Sequence, residues 1–433
     1  MNASTTTPTT NFAAFIGIDW ADKEHEIWLR PADGSPAKRS TLSQNPVAIQ
    51  EWVSQLRQQF GGGLVALSIE LSHGPLLAAL LGVEFLVIYP INPKSLARYR
   101  QAFRPSGAKD DRSDAELLCE FLRHHYAQLK PWQLEDAQTR LLGGLTQVRR
   151  HWVDEVTGAV ERLRANLKHY YPLILELFAD GLAQPMVVHF LQRWPNLKSL
   201  QEASHTELRK FFYGHNSRSA QLLEGRLQLI LQAKALTEDA GVLGIYQTDT
   251  LVIAELLSVL IKKISEIQKQ ITKLFAAHSD AFIFQSLPGA AQVLAPRLLM
   301  ACGTQRERFA EAVALAQLSG IAPITVQSGQ SEYQMFRFTA PQFMHQTFWE
   351  FAKCSIKYCL WAKAFVDRKI HNGMGFNAAV RALAFKWIRI IWRLWQNREA
   401  YDENKYLAGL RRAKTALIQP VTTSVSSLDS ALL

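Results

Sequence analysis

Two apolar runs near the start of the chain each end in a carboxylate, which limits how this part of the protein can fold. Asp19 ends the run FIGID, and Glu70 ends the run LVALSIE. Such runs are typical of buried β-strands, in which an unpaired charge is costly. Each acid is therefore expected where its strand leaves the sheet, and pairing of the two strands would bring both acids to one edge.

Two further aspartates lie at the start of the predicted helix in KDDRSDAELL. Asp111 and Asp114 are three residues apart, so they share one helix face. If that helix packs across the two strands, four hard oxygen donors converge, a set that suits two Mg²⁺ ions and in-line phosphoryl transfer. Taken singly, each acid has a structural alternative as a strand-end residue or in a solvated first turn favoured by the helix dipole. We interpret the set together as a metal site acting on phosphodiesters.

Residues 15–126 alternate between predicted strands and helices. Three strands in succession predict an antiparallel meander, and the later alternation predicts parallel additions, which together is the ribonuclease H-like plan. The predicted strands are 15–19, 25–29, 38–42, 64–70 and 85–89, and the predicted helices are 45–60, 74–81, 93–100 and 111–125.

The middle of the chain is predicted to be helical, with apolar residues at steps of three and four. Two long helices in an antiparallel coiled coil, or one side of an intermolecular coiled coil, would give this pattern. An ordinary helical bundle core is the alternative. The first seam comprises Leu141, Leu145, Val148, Trp152, Val156, Val160, Leu163 and Leu167, and the second comprises Ile253, Leu257, Leu260, Ile264, Ile267, Ile271 and Leu274.

Near the C-terminus, the helical segment AVRALAFKWIRIIWRLW combines basic and aromatic side chains. Basic residues beside aromatics suit phosphate neutralisation and base stacking, so we predict nucleic-acid binding here. A helix lying on a membrane surface and an ordinary packed helix with a basic rim are the alternatives. The four basic residues are Arg381, Lys386, Arg389 and Arg393.

Composition agrees with a polyanionic partner. The 433 residues carry a formal net charge of +10, and their apolar content suffices for two or three domains. No apolar run reaches membrane-spanning length without charges, and the N-terminus lacks the pattern of a signal peptide. The four cysteines lack paired CxxC spacing, so we expect reduced, buried thiols of a cytoplasmic, nucleoid-associated protein: Cys119, Cys302, Cys354 and Cys359.

The order of the motifs IGIDWA, SIELS, KDDRSDA, SLPGAAQVLAPRLL and GIAPITVQSGQS resembles the DEDD transposases of bridge-RNA-guided insertion sequences. The resemblance covers nearly the whole chain. It implies a RuvC-like N-terminal domain, a coiled-coil middle and a C-terminal transposase domain. By this likeness, the four acids would bind the catalytic metal ions, and Ser328 in the QSG step would be the nucleophile.

The resemblance also implies the partners. They would be donor and target DNA, a non-coding bridge RNA that pairs with both, and further copies of the chain in a tetramer. The predicted division is a disordered tail at 1–14, a RuvC-like domain at 15–130, a helical region at 136–278, a transposase domain at 280–412 and a disordered tail at 413–433.

We therefore predict an RNA-guided transposase that cuts and rejoins DNA through a transient phosphoserine link. Such a link preserves the phosphodiester energy, consistent with the absence of a GxxxxGK[ST] loop from the sequence. A RuvC-type structure-selective endonuclease that uses metal-activated water is the first alternative. A non-catalytic nucleic-acid-binding scaffold, whose acids only cap helices, is the second.

Overall fold

The computed structural model describes residues 11–70, 74–103, 111–179, 181–329, 331–335 and 340–412. The chain forms two compact units, with the division between Leu134 and Glu135. The three-domain division expected from the sequence stays a prediction. Most of the two predicted tails lies outside the described residues, but Phe12 is buried and the first strand already begins at Ala14.

The first unit contains a five-stranded mixed sheet. The strands are β1 (Ala14–Asp19), β2 (Glu24–Pro31), β3 (Lys38–Ser43), β4 (Val65–Ile69) and β5 (Leu86–Pro90). Their order in the sheet is β3-β2-β1-β4-β5; β2 is antiparallel to both β1 and β3, and β4 is parallel to both β1 and β5. This confirms the predicted ribonuclease H-like sheet and every predicted strand to within two residues.

Helices cover both faces of this sheet, because alternate residues of the central strands are buried on opposite sides. Ile16 and Leu67 belong to one core, whereas Phe15 and Ala66 belong to another core together with residues of the last helix. The helices are α1 (Pro46–Gln59), α2 (Pro75–Ala79), α3 (Pro93–Phe103) and α4 (Asp111–His125), followed by a 3₁₀ turn at Tyr126–Gln128.

Gly17 allows α4 to lie directly against β1. A Cβ added at Gly17 would lie 2.1 Å from the Ala115 carbonyl oxygen and 2.5 Å from the Cys119 amide nitrogen. Real Cβ atoms do not approach backbone this closely, so only glycine permits this contact. The contact holds α4 against β1 at Gly17, two residues before Asp19.

The second unit is built on two long helices, α5 (Ala137–Tyr170) and α11 (Ala240–Ala277). They are antiparallel: Thr139 Oγ1 lies 3.2 Å from His278 Nε2 at one end, and Asn166 donates to Asp249 at 2.6 Å near the other. Between them, five shorter helices form a separate apolar core with the adjoining halves of α5 and α11. These are α6 (Leu173–Phe178), α7 (Pro185–Arg193), α8 (Leu197–Gln201), α9 (His205–Gly214) and α10 (Ala220–Gln232).

Three of the first four residues of the predicted α5 seam are not buried within this chain, which contradicts an intramolecular coiled coil there and leaves the intermolecular alternative. Leu141, Val148 and Trp152 are exposed, while Leu142 is buried. The helix turns this other face inward because the helix at Ala291–Cys302 packs against it at Gly143, where an added Cβ would lie 3.2 Å from the Met300 sulfur. On α11 the predicted seam is buried or half-buried throughout. Coiled-coil packing stays a prediction.

The remainder of the second unit is a helical core that carries one β-hairpin. Its strands are β6 (Ile324–Ser328) and β7 (Ser331–Met335). The helices are α12 (Ala281–Gln285), α13 (Ala291–Cys302), α14 (Ala312–Leu318), α15 (Gln342–Ser355), α16 (Leu360–His371), α17 (Phe376–Asn397) and α18 (Glu403–Arg412), with a 3₁₀ turn at Arg306–Arg308. Among the described residues, no helix is long and apolar enough to cross a membrane.

Candidate functional site

Asp19 and Glu70 lie at the same edge of the sheet. Strands β1 and β4 are parallel neighbours, with Ile18 opposite Ile69. The residue that follows each of these isoleucines is a carboxylate, Asp19 or Glu70. Both acids are half-buried. Side chains alternate between the two faces along a strand, so Asp19 is on the same face as Gly17, and Glu70 is on the same face as Ser68. Both acids are therefore on the face of the sheet that α4 covers.

Asp114 approaches the same edge from α4. It is 2% exposed and directly precedes Ala115, whose carbonyl oxygen is packed against Gly17. The solvated first helical turn, the structural alternative for this residue, is therefore wrong. Asp111 begins α4, one turn before Asp114, but its side chain lies outside the described part of the structure.

Arg100 of α3 forms an ion pair with Asp114. The guanidinium Nη2 lies 2.5 Å from Asp114 Oδ1, and only 15% of the Arg100 side chain is exposed. Arg100 was not among the residues predicted from the sequence. Its spacing from Leu96 could have pointed to it. Leu96 is fully buried and lies one helical turn earlier, so Arg100 is on the same inward face of α3.

These acids fit a divalent metal by donor type, because carboxylate oxygens are the donors that Mg²⁺ prefers. The buried carboxylate of Asp114 has the guanidinium of Arg100 as its counter-charge. In the described residues, however, no three His, Cys, Asp or Glu side chains stand close enough together to hold an ion. The metal site therefore stays a prediction.

Ser328 is the last residue of β6. The polar residues around it and the nearby Pro323 and Gly329 would by themselves predict a flexible loop at this position. Ser328 pairs with Ser331 across the hairpin, and Gly329 in the turn has a φ of +59°, a backbone region that favours glycine. The Ser328 side chain lies outside the described part. Ser319 is excluded as a nucleophile because its hydroxyl is fully buried and donates to the Ala316 carbonyl oxygen.

The basic residues of α17 differ in their surroundings. Arg389 and Arg393 are exposed, whereas Arg381 and Lys386 are half-buried. Burial lowers the pKa of both half-buried groups, and the nearby charges of Arg389 and Arg368 lower the pKa of Lys386 further. This part of the helix therefore carries positive charge that a polyanion would stabilise.

Two of the three tryptophans of α17 are not available for base stacking, contrary to that part of the prediction from sequence, and only Trp392 is half-buried. Trp387 and Trp395 are fully buried, and their indole N–H groups donate to Ser355 Oγ and the Gly303 carbonyl oxygen, each at 2.8 Å. The apolar face of α17 is thus buried within the protein's own core, which argues against the membrane-surface alternative.

The cysteines and His25 are structural. All four thiols are free, and Cys119, Cys302 and Cys359 are buried; burial raises the pKa of each of these three to about 12, so none is a thiolate near neutral pH. His25 is fully buried, and its Nε2 lies 2.8 Å from Gln44 Oε1.

Two family models match the chain, and both describe transposases. Residues 16–172 match a DEDD transposase model of the IS110 type, and residues 281–367 match the model described as transposase of the IS116/IS110/IS902 family. The first match includes all four acids, and the second includes Ser328.

Two relatives match this chain over nearly its whole length. The chain is 25% identical over 409 residues to a mini-circle putative transposase for IS117 from Streptomyces coelicolor, covering 93% of this chain and 99% of the relative. It is 23% identical to an uncharacterised 43.6 kDa protein of insertion element IS110 from the same species, over 94% and 99% of the two chains. A putative transposase from Sinorhizobium fredii is 29% identical over 38% of this chain and 47% of its own length.

Proposed function

Because the chain belongs to the IS110-type family of DEDD transposases, we propose that it cuts and rejoins DNA by metal-dependent transesterification, with Ser328 as the nucleophile. The observation that best supports the proposal is the shared edge of β1 and β4, where Asp19 and Glu70 stand level and the buried Asp114 approaches from α4. Carboxylate oxygens at the ends of neighbouring strands are the donor type that Mg²⁺ prefers, which supports a site for divalent metal ions.

In the proposed mechanism, Asp19, Glu70, Asp111 and Asp114 would hold two Mg²⁺ ions, whose charge would stabilise the pentavalent transition state at the scissile phosphate. The Ser328 oxygen would form a bond to phosphorus as the bond from phosphorus to the leaving DNA oxygen breaks. The serine hydroxyl proton would pass to a base, and the leaving oxygen would take up a proton. One phosphodiester replaces another, so a DNA hydroxyl could reverse the step at the new joint without ATP.

The hairpin supports this role for Ser328. A nucleophile must be presented to a large substrate, and the serine ends β6 at a tight turn, next to a glycine with positive φ. The register with Ser331 gives a fixed backbone position to the residue that would attack. Such preorganisation is what positioning contributes to catalysis.

We further propose that the chain acts with a bridge RNA on donor and target DNA, as a tetramer. Its formal charge of +10 and the exposed Arg389 and Arg393 are consistent with a polyanionic partner. Sequencing the nucleic acid that co-purifies with the protein, expressed together with its native flanking DNA, tests the RNA. We expect one transcript from that flank, whereas random cellular RNA would contradict guidance. The mass of the complex by light scattering tests the tetramer.

A covalent adduct is the direct test of the serine mechanism. The protein, Mg²⁺, the flanking transcript and a labelled DNA duplex carrying the insertion junction would be run on a denaturing gel. We expect a protein–DNA adduct in the wild type and in Ser331→Ala, and its complete loss in Ser328→Ala together with recombination. Cleavage that persists in Ser328→Ala without an adduct in any protein would favour the water-using endonuclease. Absence of cleavage from every protein, with binding intact, would favour the scaffold.

A further inference from the structure

A cavity lies at the base of the β6–β7 hairpin, at the end opposite Ser328. Its volume is about 590 Å³, within the range of small-ligand sites. Ile321 and Pro323 line it just before β6, and Met335 lines it at the end of β7. We refer to it as the hairpin-base cavity.

The opposite wall of the hairpin-base cavity comes from α16 and α17 and is strongly basic. Four cationic residues line it, and none of the described lining residues is acidic: Lys369, Arg381, Lys386 and Arg389. Four like charges around one cavity repel each other. Burial lowers the pKa of Lys386, and the nearby charge of Arg389 on the same wall, with that of Arg368, lowers it further. An anion inside the cavity would remove that repulsion.

The apolar part of the cavity suits the rest of a nucleotide. Phe365 and Phe385 line it. The Lys386 and Lys369 ammonium groups lie 5.3 and 5.9 Å from the centre of the Phe365 ring, which holds both cations at the cavity wall. The cationic residues would contact a phosphate, and the aromatic residues beside them would contact the sugar and base joined to it.

We propose that the hairpin-base cavity binds one nucleotide of the DNA strand on which Ser328 acts, with its phosphate held by Lys369, Arg381 and Lys386. The inference rests on the proposed function for the identity of the strand. From the pair Ile324–Met335 to the pair Ser328–Ser331 the hairpin is four residues long, which is about 14 Å at about 3.4 Å per residue. A DNA strand advances about 3.4 Å per base step. The bound phosphate is therefore about four steps from the scissile one.

Phosphate neutralisation tests the assignment in a way that does not depend on catalysis. Duplexes carrying the insertion junction would each have one phosphate replaced by a neutral methylphosphonate, at successive positions. Their binding would be measured with the protein–transcript complex in a Ser328→Ala background. We expect one sensitive position about four steps from the site of the Ser328 adduct. Adding Lys369→Gln or Arg381→Gln should weaken binding to the unmodified duplex and abolish the extra sensitivity at that position.

Lys363→Gln is the matched control, because Lys363 is an exposed lysine of α16 that pairs with Asp367 and does not line the cavity. It should keep the sensitivity, and so should Arg381→Lys, which keeps the charge. The inference would be overturned if Lys369→Gln and Arg381→Gln kept the sensitivity to the methylphosphonate at that position. It would also be overturned if these variants lost binding to the transcript and kept binding to DNA. Failure of the serine mechanism shows itself separately, as a missing adduct in the wild type.

Discussion

The guanidinium of Arg100 lies 2.5 Å from the carboxylate of Asp114, and both side chains are withdrawn from water. This ion pair joins α3 to α4 at the face where the metal is proposed to bind. The guanidinium supplies the counter-charge that the buried Asp114 carboxylate needs. It also means that the pair and the proposed metal ions act on the same carboxylate.

Arg100→Gln should destabilise the first unit, because it leaves the Asp114 charge buried without its partner. We expect a loss toward the lower end of the about 3–5 kcal/mol typical of breaking a buried pair, since Arg100 keeps some exposure. Urea unfolding measures the loss. Arg98→Gln, an exposed arginine on the same helix, should have almost no effect. A loss in Arg98→Gln as large as that in Arg100→Gln would show that the ion pair is not the cause.

Mg²⁺ should raise the thermal unfolding midpoint of Arg100→Gln more than that of the wild type. In the variant, a divalent ion supplies the counter-charge that Asp114 has lost, so the difference between folded and unfolded affinities is larger. NaCl at equal ionic strength is the control for screening. Equal Mg²⁺ shifts in both proteins would contradict a metal site that includes Asp114.

Asp19→Asn, Glu70→Gln, Asp111→Asn and Asp114→Asn should each abolish DNA cleavage and leave a folded protein. Removing one charge from a shared metal site should affect the reaction far more than removing a surface charge. Asp22→Asn is the matched control, because Asp22 is an exposed carboxylate just beyond β1. Cleavage assays and circular dichroism decide the outcome, and full activity in a folded Asp19→Asn protein would refute the metal site.

Gly17→Ala should destabilise the first unit, because the new methyl group would meet the Ala115 carbonyl oxygen at 2.1 Å. Overpacking typically costs about 1–3 kcal/mol, and rigid backbone on the other side favours the upper part of that range. Gly158→Ala in α5 is the opposite case, because nothing lies within 4 Å of its Cβ. It should stabilise the helix by about 0.5–1 kcal/mol. Urea midpoints of both variants test the contrast, and a neutral Gly17→Ala would show that α4 does not lie against β1.

Replacing both Arg389 and Arg393 with Gln should weaken nucleic-acid binding and reduce its salt dependence. Each lost phosphate contact lowers the slope of log affinity against log salt by about 0.9. Binding to a DNA duplex at several salt concentrations measures the slope. Lys198→Gln with Lys210→Gln removes two exposed charges from α8 and α9 and serves as the control. If both double variants keep the wild-type slope, these arginines make no phosphate contacts.

Local patterns in the sequence determined the elements of the first unit. The apolar runs that end at Asp19 and Glu70 gave β1 and β4 to within a residue, because burial on both faces demands an unbroken apolar strand. The order of strands and helices predicts that the later strands add in parallel. Parallel pairing of β1 and β4 then places the two acids at the same edge of the sheet. The family followed from the order of motifs along the chain.

Tertiary structure decided what no local pattern contains. The Arg100–Asp114 pair joins two helices whose relative rotation is fixed only by packing, and the turn of Leu141 toward solvent depends on the contact of α13 with Gly143. The sequence suggested that the tryptophans of α17 face nucleic acid, but burial of apolar area inside the core is the larger effect. The position of Ser328 at a strand end depended on pairing with β7, since a short polar segment becomes a strand only when its backbone groups find a partner.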